Sequence, residues 1–159
     1  MRDLEARRER AFPALLQMLE DLRPAGSWPA WESLATQLRW TRRRELIVVV
    51  SDLYERDGEL RAALSTWRAL GHEVQVFQLL GRNELEFNYQ GDVLFEDLET
   101  SRTVGGSAER MRERYREALA RDMEKWRRDL LSAGCGYELV AMDEPLERAL
   151  RGFLLRRAR

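Results

Sequence analysis

The sequence predicts an α/β domain built on a parallel sheet. Leu46-Ile47-Val48-Val49-Val50 is a continuous apolar, β-branched run without polar alternation, the pattern of a strand covered on both faces. Val74, Val76, Phe77, Leu79 and Leu80 make a second such strand. A helical pattern separates the two within about 35 residues, which is a βαβ unit with an expected right-handed crossover. Tyr137 to Ala141 reads as a third strand, after a long helical stretch.

Each element has a local cause. Phe12, Leu15, Leu16, Leu19 and Leu22 recur at helical spacing, so the chain begins with an amphipathic helix. Pro13 lacks a backbone donor and should break or kink that helix near Glu9 to Phe12. Pro24-Ala25-Gly26 makes a loop, and Ser27 can cap a second helix running to about Trp40, with Pro29 in its first turn. Asp57 is expected to open the helix of the βαβ unit, with Leu60, Leu64, Trp67 and Leu70 inside. Gly71 is the expected left-handed stop.

From Asn83 to Gly106 the pattern alternates around the turn Tyr89-Gln90-Gly91-Asp92, which predicts one or two short antiparallel strands, Val93-Leu94-Phe95 foremost. A helix from about Ala108 to Ser132 carries Met111, Tyr115, Leu119, Trp126 and Leu130 as its inner stripe. Gly134-Cys135-Gly136 ends it. Asp143 is the expected cap of a last helix, with Leu146, Ala149, Leu150, Phe153 and Leu154 inside. The expectation is one domain over residues 1–159: a helical lead-in (1–44), strand-helix-strand (45–80), a hairpin insert (83–106) and helix-strand-helix (107–159).

Composition bounds the function. With 27 basic against 28 acidic residues the net charge is −1, which excludes a general nucleic-acid binder relying on a concentrated basic surface. The charge is uneven: +3 over residues 1–44, −7 over 45–104 and +3 over 105–159. Such an acidic middle can meet a cation or a basic partner, or simply solvate the surface. The run Leu46 to Val50 is far short of the ~20 apolar residues that span a bilayer, and no secretory leader follows Met1. Cys135 and His72 are the single cysteine and histidine, so neither a disulfide nor a His/Cys metal cluster can form within the chain. A cytoplasmic setting is expected.

Asp52 is the leading candidate residue, because it follows the first buried strand; it is either a turn or helix cap, or a contact for a cation or partner. Ser51 has no neighbouring base signature that would make it a nucleophile. Ser27 reads as a helix cap, His72 as a turn residue and Cys135 as a tight-packing choice. Glu84, Glu86, Glu96, Asp97 and Glu99 make the hairpin region acidic, either solvated or a protein-contact surface. Trp28, Trp31 and Trp40 flank the second helix as core or as interface.

Several short motifs in order resemble one family. They are Leu46 to Val50 with Ser51-Asp52-Leu53, Gly71-His72-Glu73-Val74, Glu84-Leu85-Glu86-Phe87, Phe95-Glu96-Asp97-Leu98-Glu99-Thr100, Tyr115, and Pro145-Leu146 with Ala149-Leu150 and Arg156-Arg157. From about Phe12 onward the chain resembles the second half of domain-of-unknown-function family 58, whose members have a von Willebrand factor A-like fold. The resemblance implies part of a doubly wound, Rossmann-like sheet of order 3-2-1-4-5-6, the three parallel strands here being the fourth, fifth and sixth, with an antiparallel hairpin and flanking helices. Ligands of such sheets collect where the strand order reverses, at the strand C-termini.

Complete von Willebrand A domains often hold a divalent cation there, using an Asp-x-Ser-x-Ser loop, a threonine and a further aspartate. Asp52 matches that aspartate, and Ser27 lies where the threonine would fall. No aspartate here is followed by Ser at both required positions; Asp97-Leu98-Glu99-Thr100-Ser101 comes nearest. A hard cation wants roughly six oxygens, so the incomplete set Asp52 and Ser27 leaves at most a weakly bound Mg2+. Relatives usually carry membrane helices ahead of this domain and an acidic residue where Gly81 stands. The chain is therefore expected to be a truncated member or a separately encoded C-terminal half.

The function implied is a non-enzymatic protein-interaction module, by resemblance to von Willebrand A-like proteins associated with MoxR-type AAA+ ATPases. Trp28, Trp31, Glu96, Asp97 and Glu99 are its candidate partner contacts. The Leu46 to Val50 edge is expected to pair with a second copy or to be covered by the first helix. The alternatives are a magnesium-dependent phosphoester hydrolase using Asp52, and a remnant without independent function.

Overall fold

Uninterrupted β-branched residues favour a central parallel strand, and the chain builds its sheet from such runs. A computed structural model of the chain describes residues 2–23, 44–54, 58–97 and 101–157. Within them the order is α1 (Arg2–Asp21), β1 (Leu46–Ser51), α2 (Glu59–Ala69), β2 (Glu73–Leu80), α3 (Arg82–Glu86), β3 (Asp92–Glu96), β4 (Thr103–Ser107), α4 (Ala108–Ser132), β5 (Gly136–Ala141) and α5 (Leu146–Arg157). β1, β2 and β5 form a parallel sheet in that spatial order, and β3 and β4 a separate antiparallel pair. The three parallel strands therefore stand side by side in chain order, as expected.

β2 is the middle strand, and it is buried on both faces. Val74, Val76 and Leu80 are at most 2% exposed on one side and Phe77 is 5% exposed on the other. The first face packs under α2 and α4, where Leu60, Leu64 and Trp67 meet Val74, Val76, Trp126 and Leu130. Arg61 lies 3.5 Å over the Trp126 ring and pairs with Asp129, joining α2 to α4. The second face packs under α5, with Ala149 and Phe153 against Phe77 and Val140.

Gly71 takes φ +89° after α2, the left-handed stop its position suggested. It turns the chain so that the His72 N–H donates to Trp67 O at 3.0 Å. His72 is more than a turn residue: it is 2% exposed, and its Nδ1 accepts the Glu45 N–H at 3.2 Å, tying the start of β1 to the end of α2.

Five expectations need correction. α1 continues through Pro13 rather than breaking there. The 83–106 segment is not all hairpin, since Arg82–Glu86 forms one helical turn that carries Glu84 and Glu86. Asp143 does not start α5; its carboxylate instead accepts from Arg82 Nε at 2.9 Å, and the helix begins at Leu146. On α5 the sheet takes Ala149 and Phe153, leaving Leu146, Leu150 and Leu154 between 41% and 60% exposed. Leu70 is likewise an exposed cap of α2. The second helix expected from Ser27 to Trp40, and Asp57, lie outside the described residues.

Candidate functional site

The end of β1 is held by side chains from three strands. Ser51 Oγ accepts the Leu53 N–H at 3.0 Å, and Asp52 Oδ1 accepts the Tyr54 N–H at 3.1 Å. Short polar side chains that bond backbone groups two residues on close tight turns. Leu53 is thereby placed at φ 63° with its side chain 1% exposed in the main core. A buried γ-branched residue in the left-handed region is strained. Gln78 supports the turn from below: its Nε2 donates to the Asp52 carbonyl at 3.0 Å, and its Oε1 accepts from the Tyr137 hydroxyl at 2.7 Å. Register explains the reach, since Ser51 pairs with Gln78, and Gln78 with Leu139. The polar relay runs from β5 through β2 to β1, and Gln78 is 1% exposed within it.

Beside Asp52 lies a cluster of phenols and carboxylates. The hydroxyls of Tyr54 and Tyr115 hydrogen-bond one another. Burial, first of all, pushes the Tyr54 hydroxyl well above the usual phenol range, with the Tyr115 bond and the charges of Glu84 and Asp52 acting in the same direction. Burial also raises Tyr115 and Tyr137. At neutral pH these hydroxyls are neutral donors and not bases. Glu84 folds back from α3 so that its Oε2 accepts the Gly81 N–H at 2.6 Å. Tyr115 also stacks with Phe87 at 4.7 Å between ring centroids, and Phe87 meets Tyr89 and Phe95. The hairpin is thus fastened to α4. Arg112 completes the joint by donating to the Phe87 and Tyr89 carbonyls.

Among the candidates named from sequence, Asp52 is exposed at the C-terminal end of β1, as its position suggested. Glu96 ends β3, exposed, and Asp97 follows it, half-buried in the β3–β4 turn where its carbonyl accepts the Ser101 N–H. Ser27, Trp28, Trp31 and Glu99 lie outside the described residues. Sequence reasoning missed Gln78, Tyr137, Tyr54 and the Tyr54–Tyr115 bond. The available signal was Gln75 and Gln78 inside an otherwise apolar strand, since a buried amide demands partners. Cys135 is 3% exposed and burial raises its thiol, so it is a packing residue.

This arrangement presents the Asp52 carboxylate at the surface. Ser51 Oγ is committed to the Leu53 N–H. Among the described residues no group of three or more His, Cys, Asp or Glu side chains could hold a metal ion, and one oxygen of Asp52 is engaged by the turn. The described residues therefore do not fit a tightly held divalent cation, which wants about six oxygens. A groove of about 470 Å³ runs between α3, α4 and β5 over Leu85, Leu119, Met123, Tyr137 and Leu139, and Asp52 does not line it.

A short parallel sheet, layered by helices and with an exposed aspartate at the end of β1, defines the class as an α/β protein. The family described as protein of unknown function DUF58 matches residues 6–125, and the chain belongs to that family. The match covers α1 through most of α4; β5 and α5 lie beyond it. Comparison with curated proteins found no match, and comparison with solved structures found none. Among the described residues no helix is long and apolar enough to cross a membrane.

Proposed function

We propose that the chain is a protein-interaction module without catalysis of its own, which engages a basic partner at the C-terminal end of β1. The observation that supports this most is the fixed presentation of Asp52: its carboxylate is exposed, while its backbone is held by Gln78 and its turn by Ser51. A contact fixed in advance loses less conformational freedom on binding. Tyr54, 52% exposed beside it, adds the aromatic surface common at binding hot spots. Glu96 and Asp97 extend the acidic surface on the hairpin that Phe95, Phe87 and Tyr115 fasten to α4. A surface of this sign suits arginine or lysine on the partner.

The von Willebrand A-like resemblance makes a MoxR-type AAA+ ATPase, in the cytoplasm, the partner of choice. In the same reading the outer edge of β1, which has no strand partner among the described residues, associates with a second copy. The reading needs no metal. Calorimetric titration of the purified chain with a MoxR-type ATPase from the same genome tests it. Saturable binding, weakened about tenfold or more by Asp52→Lys, is the expected result. No binding, or binding indifferent to Asp52→Lys, refutes it.

A further inference from the structure

Two apolar surfaces of this chain are exposed at once. On α1 and just past its end, Phe12, Leu15, Leu16, Leu19 and Leu22 share one side and are each between 44% and 63% exposed. On β1, Val48 and Val50 are 48% and 58% exposed. Val50 pairs with Phe77, so the two valines share the sheet face that α5 covers.

α5 stops short of them. Ala149 and Phe153 sit on the sheet, so Leu150 and Leu154, each one residue further along, lie about 100° round the helix. Arg157, at 3.2 Å from Glu73 of β2, marks the inner flank, whereas Arg148 lies beside Glu138 on the β5 side. Leu150 and Leu154 therefore face β1. A valine floor and a leucine wall make a trough where a parallel sheet covered on both faces carries a helix.

We propose that α1 of a second copy of the chain seats in this trough. The proposal rests on the reading of β1 as a site of association with a second copy, and concerns the open face of that strand, not its backbone edge. Lengths agree: Phe12 to Leu22 spans about 15 Å of helix, and β1 about 20 Å of strand. Charges agree as well. From Ala11 to Leu22 the only charged residues are Glu20 and Asp21, whereas α5 carries four arginines against one glutamate. Arg151 among them has no ion-pair partner among the described residues. Among the described residues nothing covers either surface, and α1 does not occupy the trough of its own chain. Reciprocal exchange about a twofold axis buries both surfaces twice and closes the assembly at a dimer.

Sedimentation velocity and oxidative cross-linking of the full chain test this. The expected result is a dimer in the micromolar range that Leu16→Glu and Val50→Glu each dissociate, with the helical circular dichroism of Leu16→Glu retained. Mixing Leu16→Cys chains with Val50→Cys chains gives a disulfide-linked pair that neither gives alone; buried Cys135 does not compete. A doubly substituted chain that links only within itself and sediments as a monomer overturns the proposal in favour of its own α1. A dimer indifferent to Leu16→Glu, with no mixed link, overturns the part played by α1 and leaves association through β1 standing. A monomer at every concentration overturns both.

Discussion

The side-chain amide of Gln78 donates to the backbone carbonyl of Asp52 at 3.0 Å, from the middle of one strand to the end of its neighbour. Its carbonyl oxygen accepts from Tyr137, so one buried amide is satisfied on both sides. Gln78→Leu keeps the volume and removes both bonds. Two part-buried partners then lose their bonds, at up to about 1–3 kcal/mol each. Urea denaturation should show Gln78→Leu more destabilised than Tyr137→Phe, which breaks one bond and leaves one buried acceptor, the Gln78 Oε1, unpaired at about 1–3 kcal/mol. Equal losses would mean that the relay does not hold the Asp52 turn.

Leu53 sets two effects against each other. Its side chain is 1% exposed, so truncation to Ala should cost about 2–5 kcal/mol. Its φ of 63° is unfavourable for any residue with a Cβ, by about 1–2 kcal/mol, and glycine escapes that cost. Leu53→Gly should therefore be no less stable than Leu53→Ala, although glycine is the smaller residue and normally the worse one. Thermal melts of the two variants decide it, and a clearly weaker Gly variant would show that the left-handed turn carries no strain.

Glu109 joins the hairpin to the first turn of α4. Its two oxygens accept the Gly91 N–H and the Ser107 hydroxyl, both at 2.8 Å. The Gly91 N–H bond foremost, with the helix-start N–H and Ser107, holds its carboxyl down to about 2, below the ordinary 4.5. A group whose folded pKa is depressed contributes stability above its unfolded pKa and loses it as pH falls through the folded one. The contribution is thus present above pH 4.5 and fades between 4.5 and about 2. Acid titration of Glu109→Gln, followed by tyrosine fluorescence, should show a shallower loss over that window than the wild type. An unchanged slope would assign the acid sensitivity to other carboxylates.

What was legible in the sequence follows from how local each signal is. That β1 and β2 are parallel strands joined by a helix was readable from their unalternated β-branched runs, whereas the order β1-β2-β5 was implied only by the family resemblance, and the exposure of Val48 and Val50 on one face of β1 was not foreseen. The ends of α4 were readable from a stripe sustained over its 25 residues. α3 was not, because five residues carry too little periodicity to tell a helical turn from a strand. At the candidate site Asp52 was found by position alone. Its supports were hidden because they depend on register: Tyr137 and Gln78 are 59 residues apart and meet only once β5 docks on β2. The outward turn of Leu150 and Leu154 was hidden for a related reason, since spacing defines an apolar stripe but not how much of it the sheet covers.

Gly136 and Gln75 occupy one space on the α5 side of the sheet. The two residues are register partners in β5 and β2. Gln75 is 4% exposed, its Nε2 donates to the Val76 carbonyl at 3.1 Å, and its Oε1 fills the position a Cβ on residue 136 would take. Here the constraint on residue 136 is a contact with the end of the Gln75 side chain and not its own backbone angle. Gly136→Ala should therefore force Gln75 out of its pocket and cost about 1–3 kcal/mol, as overpacking does. The cost should depend on the partner. In a Gln75→Ala background the clash is gone, and Gly136→Ala becomes close to neutral. A double-mutant cycle read by urea unfolding should then give a coupling of about 0.5–3 kcal/mol in the favourable direction. Additive losses would show instead that the glycine is retained for strand geometry, and that Gln75 can swing aside without disturbing the pairing of β2 with β5.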